Sequence, residues 1–156
     1  MTIVVGVDNS DHSFYALRWT LRHYFAGAAA VGAANRLVIV YAKPNPSSAI
    51  SIGGLGSVDI KPYLDSDLTR IATTVIAKAR ELCAANSMCD VVYEVMEGDA
   101  RIALCDAAEI FHADLLVLGS QGYGAIKRAV LGSVSDYCTH HSNCNVMIVK
   151  QPKHMN

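Results

Sequence analysis

Charge is scarce in this chain: 17% of its 156 residues are charged, the formal net charge is −1, and no long basic stretch occurs. Binding to nucleic acid through broad phosphate neutralisation is therefore not expected. Long apolar runs are missing too, the longest reaching about half a membrane span, so no membrane partner is expected. The N-terminal MTIVVGVDNSD lacks the basic n-region and cleavage site of a secretory signal. Asn45 is followed by Pro46, which disqualifies it as a glycosylation acceptor. The five cysteines are odd in number and form no Cys-x-x-Cys pair, which argues against a disulfide framework. A cytoplasmic location is the expectation. Two phosphate motifs are also lacking. No Gly-Lys-Ser/Thr ending makes a P-loop. Gly53, Gly54 and Gly56 do not directly follow a strand, as a Rossmann fingerprint requires.

What is present is a chain rich in apolar residues, 52% of the total, long enough for a single domain read over residues 1–156. Thr2–Val7 is a short β-branched run, the mark of a fully buried strand. Asp8-Asn9-Ser10 follows, rich in turn and helix-capping types. Phe14, Leu17, Leu21, Tyr24 and Phe25 then recur at helical spacing. Leu37–Ala42 reads as a second strand. The segment 44–62, with PNPSS and GGLGS, reads as a long mobile loop. Asp65 or Ser66 is the expected cap of a helix whose apolar face is Leu68, Ile71, Ala72, Val75, Ala79 and Leu82. Val91–Met96 is a third strand. Gly98-Asp99 leads into a helix holding Ile102, Cys105, Ala108 and Phe111. Leu115–Leu118 is a fourth strand, Ser133–His141 a last helix, Val146–Val149 a fifth strand, and 151–156 a polar tail.

Alternating strands and helices predict an α/β fold: one open five-stranded, mostly parallel, Rossmann-like sheet with helices on both faces. Ligands of such sheets bind at the carboxyl ends of the strands, where the winding direction changes. Those ends carry Asp8, Ala42, Glu97–Gly98 and Gly119.

The informative segment is Leu118-Gly119-Ser120-Gln121-Gly122-Tyr123-Gly124-Ala125-Ile126-Lys127-Arg128-Ala129-Val130-Leu131-Gly132-Ser133. Glycines stand where a strand ends and where a helix begins. They let backbone N–H groups approach an anion closely, and the helix N-terminus adds unpaired donors and a favourable dipole. Ser133 can donate its hydroxyl to a phosphate or serve as the N-cap. Lys127 and Arg128 can reach phosphate or form the solvated face of a turn. Asp8 can accept ribose hydroxyls, help hold Mg²⁺, or cap the first helix. His12 lies near the first turn and can touch a ligand, although it reads first as a surface residue. Cys138, His140, His141 and Cys144 lack a second pair of zinc ligands. They read instead as a buried helix face with histidines at the helix end, and no metal site is assigned.

Gly119, two residues, Gly122, nine residues, Gly132-Ser133, together with Val7-Asp8-Asn9-Ser10 after the first strand, resembles the universal stress protein family. The resemblance runs from Ile3 to Lys150, and Gly119–Lys150 looks like plant members in particular. It implies the adenine-nucleotide α-hydrolase-like fold and ATP or AMP as ligand. Val7 and Asp8 would border adenine and ribose, and the Ala42 backbone would pair with the adenine edge. Gly119, Gly122, Gly132, Ser133 and Val134 would wrap ribose and phosphates, with Ser135 and Lys127 as further candidates. Asn9 departs from the Gly common in the family, and Ala100 from a Pro common in plant members. The function implied is a regulatory nucleotide binder of the stress response and a homodimer through the C-terminal strand. A slow ATP hydrolase or phosphotransferase and a nucleotide-free interaction or chaperone module are the alternatives. No catalytic residue is assigned, since no general base accompanies the glycine segment.

Overall fold

Thr2-Ile3-Val4-Val5-Gly6-Val7 forms β1 (Thr2–Val7), and from Ile3 onward every residue is buried. A strand apolar on both faces needs cover on both, and the rest of the chain supplies it. The structure, a computed structural model, describes residues 1–27, 35–45, 61–121 and 132–152, with the backbone alone for 61–64. In order after β1 come α1 (Asp11–Tyr24), β2 (Arg36–Lys43), α2 (Lys61–Ala85), β3 (Val91–Glu97), α3 (Ala100–Ile110), β4 (Leu115–Gly119), α4 (Ser133–His141) and β5 (Asn145–Val149).

The strands form one sheet in the order β3-β2-β1-β4-β5, and every neighbouring pair is parallel. The expected "mostly parallel" sheet is thus wholly parallel among the described residues. The chain steps outward from β1 to β3, then returns to the other side of β1 as β4. Side chains of β1 alternate between two cores, as the strand period dictates. Ile3, Val5 and Val7 pack with Phe14, Leu17 and Leu21 of α1 and Val75 and Ala79 of α2. Val4 packs on the other face with Leu104, Ala107 and Ala108 of α3 and Cys138 of α4. Gly6 allows close approach there, since a Cβ on it would stand 2.7 Å from a Leu118 methyl and 3.0 Å from one of Leu104.

Two expectations are corrected. α2 begins at Lys61, so Asp65 and Ser66 lie inside the helix rather than at its cap. Pro62 is no obstacle, because first-turn N–H groups have no intrahelical partner to lose. Of the loop expected over 44–62, residues 46–60 lie outside the described residues, as do 153–156 of the tail. The inner face of α3 is Ala103, Leu104, Ala107 and Ala108, whereas Ile102 is 51% exposed and Ile110 62%. Alanines let the helix settle close to the sheet, but they carry a weak hydrophobic signal beside isoleucine. On α2, Ile71 is likewise exposed.

Ala100, the departure from the family's Pro, is the first residue of α3, and Asp99 caps that helix by accepting the Arg101 N–H. Proline is favoured at this position, and alanine, a strong helix former, also fits.

The rotation of the α3 face yields a paired test. Leu104→Ala should cost about 2–5 kcal/mol of stability, as buried Leu truncations do. Ile102→Ala should stay within about 1 kcal/mol. Urea unfolding of the two variants reads the difference directly, and equal costs would contradict the assigned face.

Candidate functional site at the ends of β1 and β4

The sheet reverses its winding between β1 and β4, so no crossover helix covers the gap between their carboxyl ends. Ile3 pairs with Leu115 and Val5 with Val117. The same offset carried to the strand ends brings Gly119 level with Val7, so Asp8 and Ser120 flank the crevice.

On the β1 side the turn is braced by its own hydroxyls. Ser10 is the N-cap of α1, its Oγ accepting the Ser13 N–H at 3.2 Å. Asp8 Oδ1 accepts the Ser10 N–H at 2.9 Å and is in contact with Ser10 Oγ. Ser13 Oγ accepts the Asp8 N–H at 3.0 Å and donates to the Asp8 carbonyl at 2.9 Å. Asp8 therefore orients the cap without being the cap, and its half-buried carboxylate is held at the crevice. Its charge is felt across the strand: burial first, and the Asp8 carboxylate second, push the Tyr41 phenol above its ordinary value.

Tyr41 is the last β2 residue paired with β1, opposite Val7. Ala42 thus extends one step beyond the β1 ladder while pairing with Met96 on β3. Lys43 follows, almost buried, with its Nζ 3.2 Å from Asp65 and 3.6 Å from Glu97. The Lys43 carbonyl accepts the Gly98 N–H at 2.9 Å. Nothing in the local sequence marks this lysine as buried, because its partners come from α2 and β3.

On the β4 side, a Cβ added to Gly119 would stand 2.8 Å from the His12 carbonyl carbon and oxygen. Backbone cannot yield as a methyl group can, so glycine is what allows β4 to end against the first turn of α1. His12 is half-buried, not on the open surface, with Nδ1 3.4 Å from Ser120 Oγ. The Ser120 carbonyl accepts the Gly132 N–H at 2.8 Å and the Ser135 hydroxyl at 3.3 Å. Ser120 N–H donates to the Val149 carbonyl at 3.2 Å. The chain thus leaves and re-enters the crevice at one point. Gly122 and Lys127 lie outside the described residues.

Gly132, not Ser133, is the N-cap of α4, and no side chain caps it. This contrasts with α1 and α3, capped by Ser10 and Asp99. Among the described residues, the first-turn N–H groups of Ser133, Val134 and Ser135 are consequently left without a side-chain acceptor, which is the arrangement that receives an anion. Ser133 is exposed and Val134 half-buried, while Ser135 is buried with its hydroxyl turned to Ser120 and Gly132 carbonyls. Of the expected site residues, the structure gathers Val7, Asp8, Gly119, Gly132, Ser133, Val134 and Ser135 around one crevice and sets Ala42 beside it. Sequence reasoning gave Ser120 and His12 no fixed role and passed over Tyr41 and Lys43.

Comparison with known proteins agrees with this fold. A family model described as the universal stress protein family matches residues 1–150. The Arabidopsis thaliana universal stress protein PHOS34 is 31% identical over 165 residues, covering 96% of this chain. The chain spans only 62% of that relative's length. An Arabidopsis thaliana universal stress protein solved with AMP bound superposes with a TM-score of 0.68 at 16% identity, covering 98% of this chain and 93% of its own. A universal stress protein solved in complex with cAMP has a TM-score of 0.63 at 25% identity, covering 96% of each chain. The parallel sheet of order β3-β2-β1-β4-β5 and the match over residues 1–150 lead to one conclusion: the chain belongs to the universal stress protein family.

Proposed function

We propose that this chain binds an adenine nucleotide, ATP or AMP, in the crevice between β1 and β4, and serves as a regulatory component of the stress response. The observation that carries the reading is the uncapped N-terminus of α4. It faces the crevice beside a carboxylate already fixed by Ser10. The relatives solved with AMP and with cAMP support the same ligand class. In this reading the Ser133 and Val134 N–H groups, Gly119 and Gly122 hold phosphate. Asp8 accepts from the ribose, and the backbone of Ala42 meets the base. Any Mg²⁺ would share the phosphates with Asp8, a coordination pattern that ion accepts. A cytoplasmic location belongs to the proposal. Among the described residues no helix is long and apolar enough to cross a membrane.

Gly132→Val tests the site. The Gly132 N–H closes the loop base on Ser120, and a branched side chain there disturbs the donors that follow it. ATP and AMP affinity should fall by about 1–3 kcal/mol, roughly 5- to 150-fold. Calorimetry on the folded variant checks it, and unchanged affinity would move the ligand elsewhere.

Turnover should be slow. Two candidate acid–base groups at the crevice are already engaged, Asp8 with Ser10 and His12 with Ser120. Steady-state phosphate release should fall below the ~1–10³ s⁻¹ usual for enzymes. A rate inside that range, abolished by Gly132→Val, would favour a hydrolase.

The proposal includes a homodimer across β5. That strand is a sheet edge whose Val146, Met147 and Ile148 are half-exposed, and such an edge can pair with a two-fold copy. The Val149 carbonyl bonds inward to Ser120. Since a strand residue's N–H and carbonyl share a side, those of Ile148 point outward and those of Met147 toward β4. Ile148→Pro should therefore abolish dimerisation with the fold kept, whereas Met147→Pro should damage the sheet itself. Sedimentation at tens of micromolar protein, with far-ultraviolet dichroism as the folding control, decides it. A wild-type chain that stays monomeric with and without ATP would end the idea.

A further inference from the structure

Away from the crevice, α3 and α4 bring two thiols into contact. Cys105 Sγ lies 3.7 Å from Cys138 Sγ, although 33 positions separate them in the chain. No disulfide joins them, and all five cysteines are free. Cys138 is fully buried and points its thiol at the Arg101 carbonyl, 3.8 Å away. Cys105 is only half-buried and forms part of the wall of an open cavity of about 160 Å³ shared with Glu109, His112 and Cys144. One sulfur of the pair is thus reachable from solvent, and the other waits directly behind it.

We propose that Cys105 and Cys138 are a reversible redox pair, closed by a peroxide into a disulfide that pins α4 to α3. The two Sγ atoms must approach from 3.7 Å to about 2.05 Å, a shift that modest side-chain and helix adjustment supplies. The Cys105 thiolate attacks one peroxide oxygen. An S–O bond forms, the O–O bond breaks, and the leaving hydroxide is protonated to water, which leaves a sulfenic acid on Cys105. Cys138 Sγ then attacks that sulfur. The S–S bond forms as the S–O bond breaks, and the Cys138 proton leaves with the hydroxyl as a second water. Two thiols and one peroxide become one disulfide and two waters. A dithiol reverses the bond by exchange.

The order of events follows from burial. Burial lifts the Cys105 thiol above its ordinary value, an effect its contact with Cys138 opposes. The more deeply buried Cys138 is pushed up to about 12. Cys138 therefore stays a thiol until a sulfenic acid forms against it. The reaction is slow compared with that of an activated cysteine, which suits a response to sustained rather than passing oxidation. The cavity also holds Cys144, whose Sγ contacts Ser142 Oγ at 3.3 Å. It is the competing partner that the experiment must separate. The cross-link would stand in the middle of the helix that begins at Ser133, and its formation does not depend on what binds there.

The test uses the full chain with hydrogen peroxide, followed by alkylation under denaturing conditions, thiol counting and peptide mapping without reductant. The free-thiol count should fall from five to three, with one linked peptide joining Cys105 to Cys138, and dithiothreitol should restore all five. The linked peptide should vanish in Cys105→Ser and in Cys138→Ser and persist in Cys144→Ser. If the buried Cys138→Ser fails to fold, the wild-type map alone still names the pair. Amide exchange over residues 133–141 should slow in the oxidised protein. Retention of all five thiols, a Cys105–Cys144 link, or Cys105 ending as a sulfinic acid without a cross-link would each overturn the assignment. Unchanged exchange in a cross-linked protein would overturn the pinning of α4.

Discussion

Everything in this fold answers to the need to enclose β1. Its residues are apolar toward both cores, and its two edges are taken by β2 and β4. Parallel neighbours require crossover connections, and cover on both faces requires helices on both. The chain meets these demands by building outward to β3 and then returning past β1. That return leaves the carboxyl ends of β1 and β4 without a crossing connection, and the crevice is the result. The site is where the burial of the central strand leaves a gap.

Strands were readable because each is an apolar run bounded by turn formers, and the helices after β1 and before β5 were readable from their starts. The inner face of α3 was not, because Ala103, Ala107 and Ala108 speak more quietly than the exposed Ile102 and Ile110. At Asp8-Asn9-Ser10 every residue is a plausible cap, and only geometry assigns the cap to Ser10 and the bracing to Asp8. The glycine spacing marked the backbone that is expected to face phosphate. It could not show that the Gly132 N–H and the Ser135 hydroxyl converge on the Ser120 carbonyl, because that contact spans a long stretch of chain. Lys43 was equally hidden, since a lysine at a strand end looks solvated until Asp65 and Glu97 arrive from elsewhere.

The helix starts divide the labour. α1 and α3 satisfy their first turns with Ser10 and Asp99, which fixes them as scaffold. α4 does not, and its Gly132 contributes backbone alone. A helix start of this kind is stabilised by whatever anion completes it. An anion bound at that start would therefore steady α4, and the Cys105–Cys138 contact sits on the same helix.

The closure of Ser120 on Gly132 has a bearing on how this architecture tolerates change. Because the two rims of the insertion are clamped by hydrogen bonds that belong to the scaffold, the register of β4 and α4 is set independently of what runs between them. Doubling the length of such a tether adds only about 0.6 kcal/mol of closure entropy. The Ser120–Gly132 contact therefore holds the end of β4 against the start of α4, and a change in the number of residues between them would alter the closure cost only slightly.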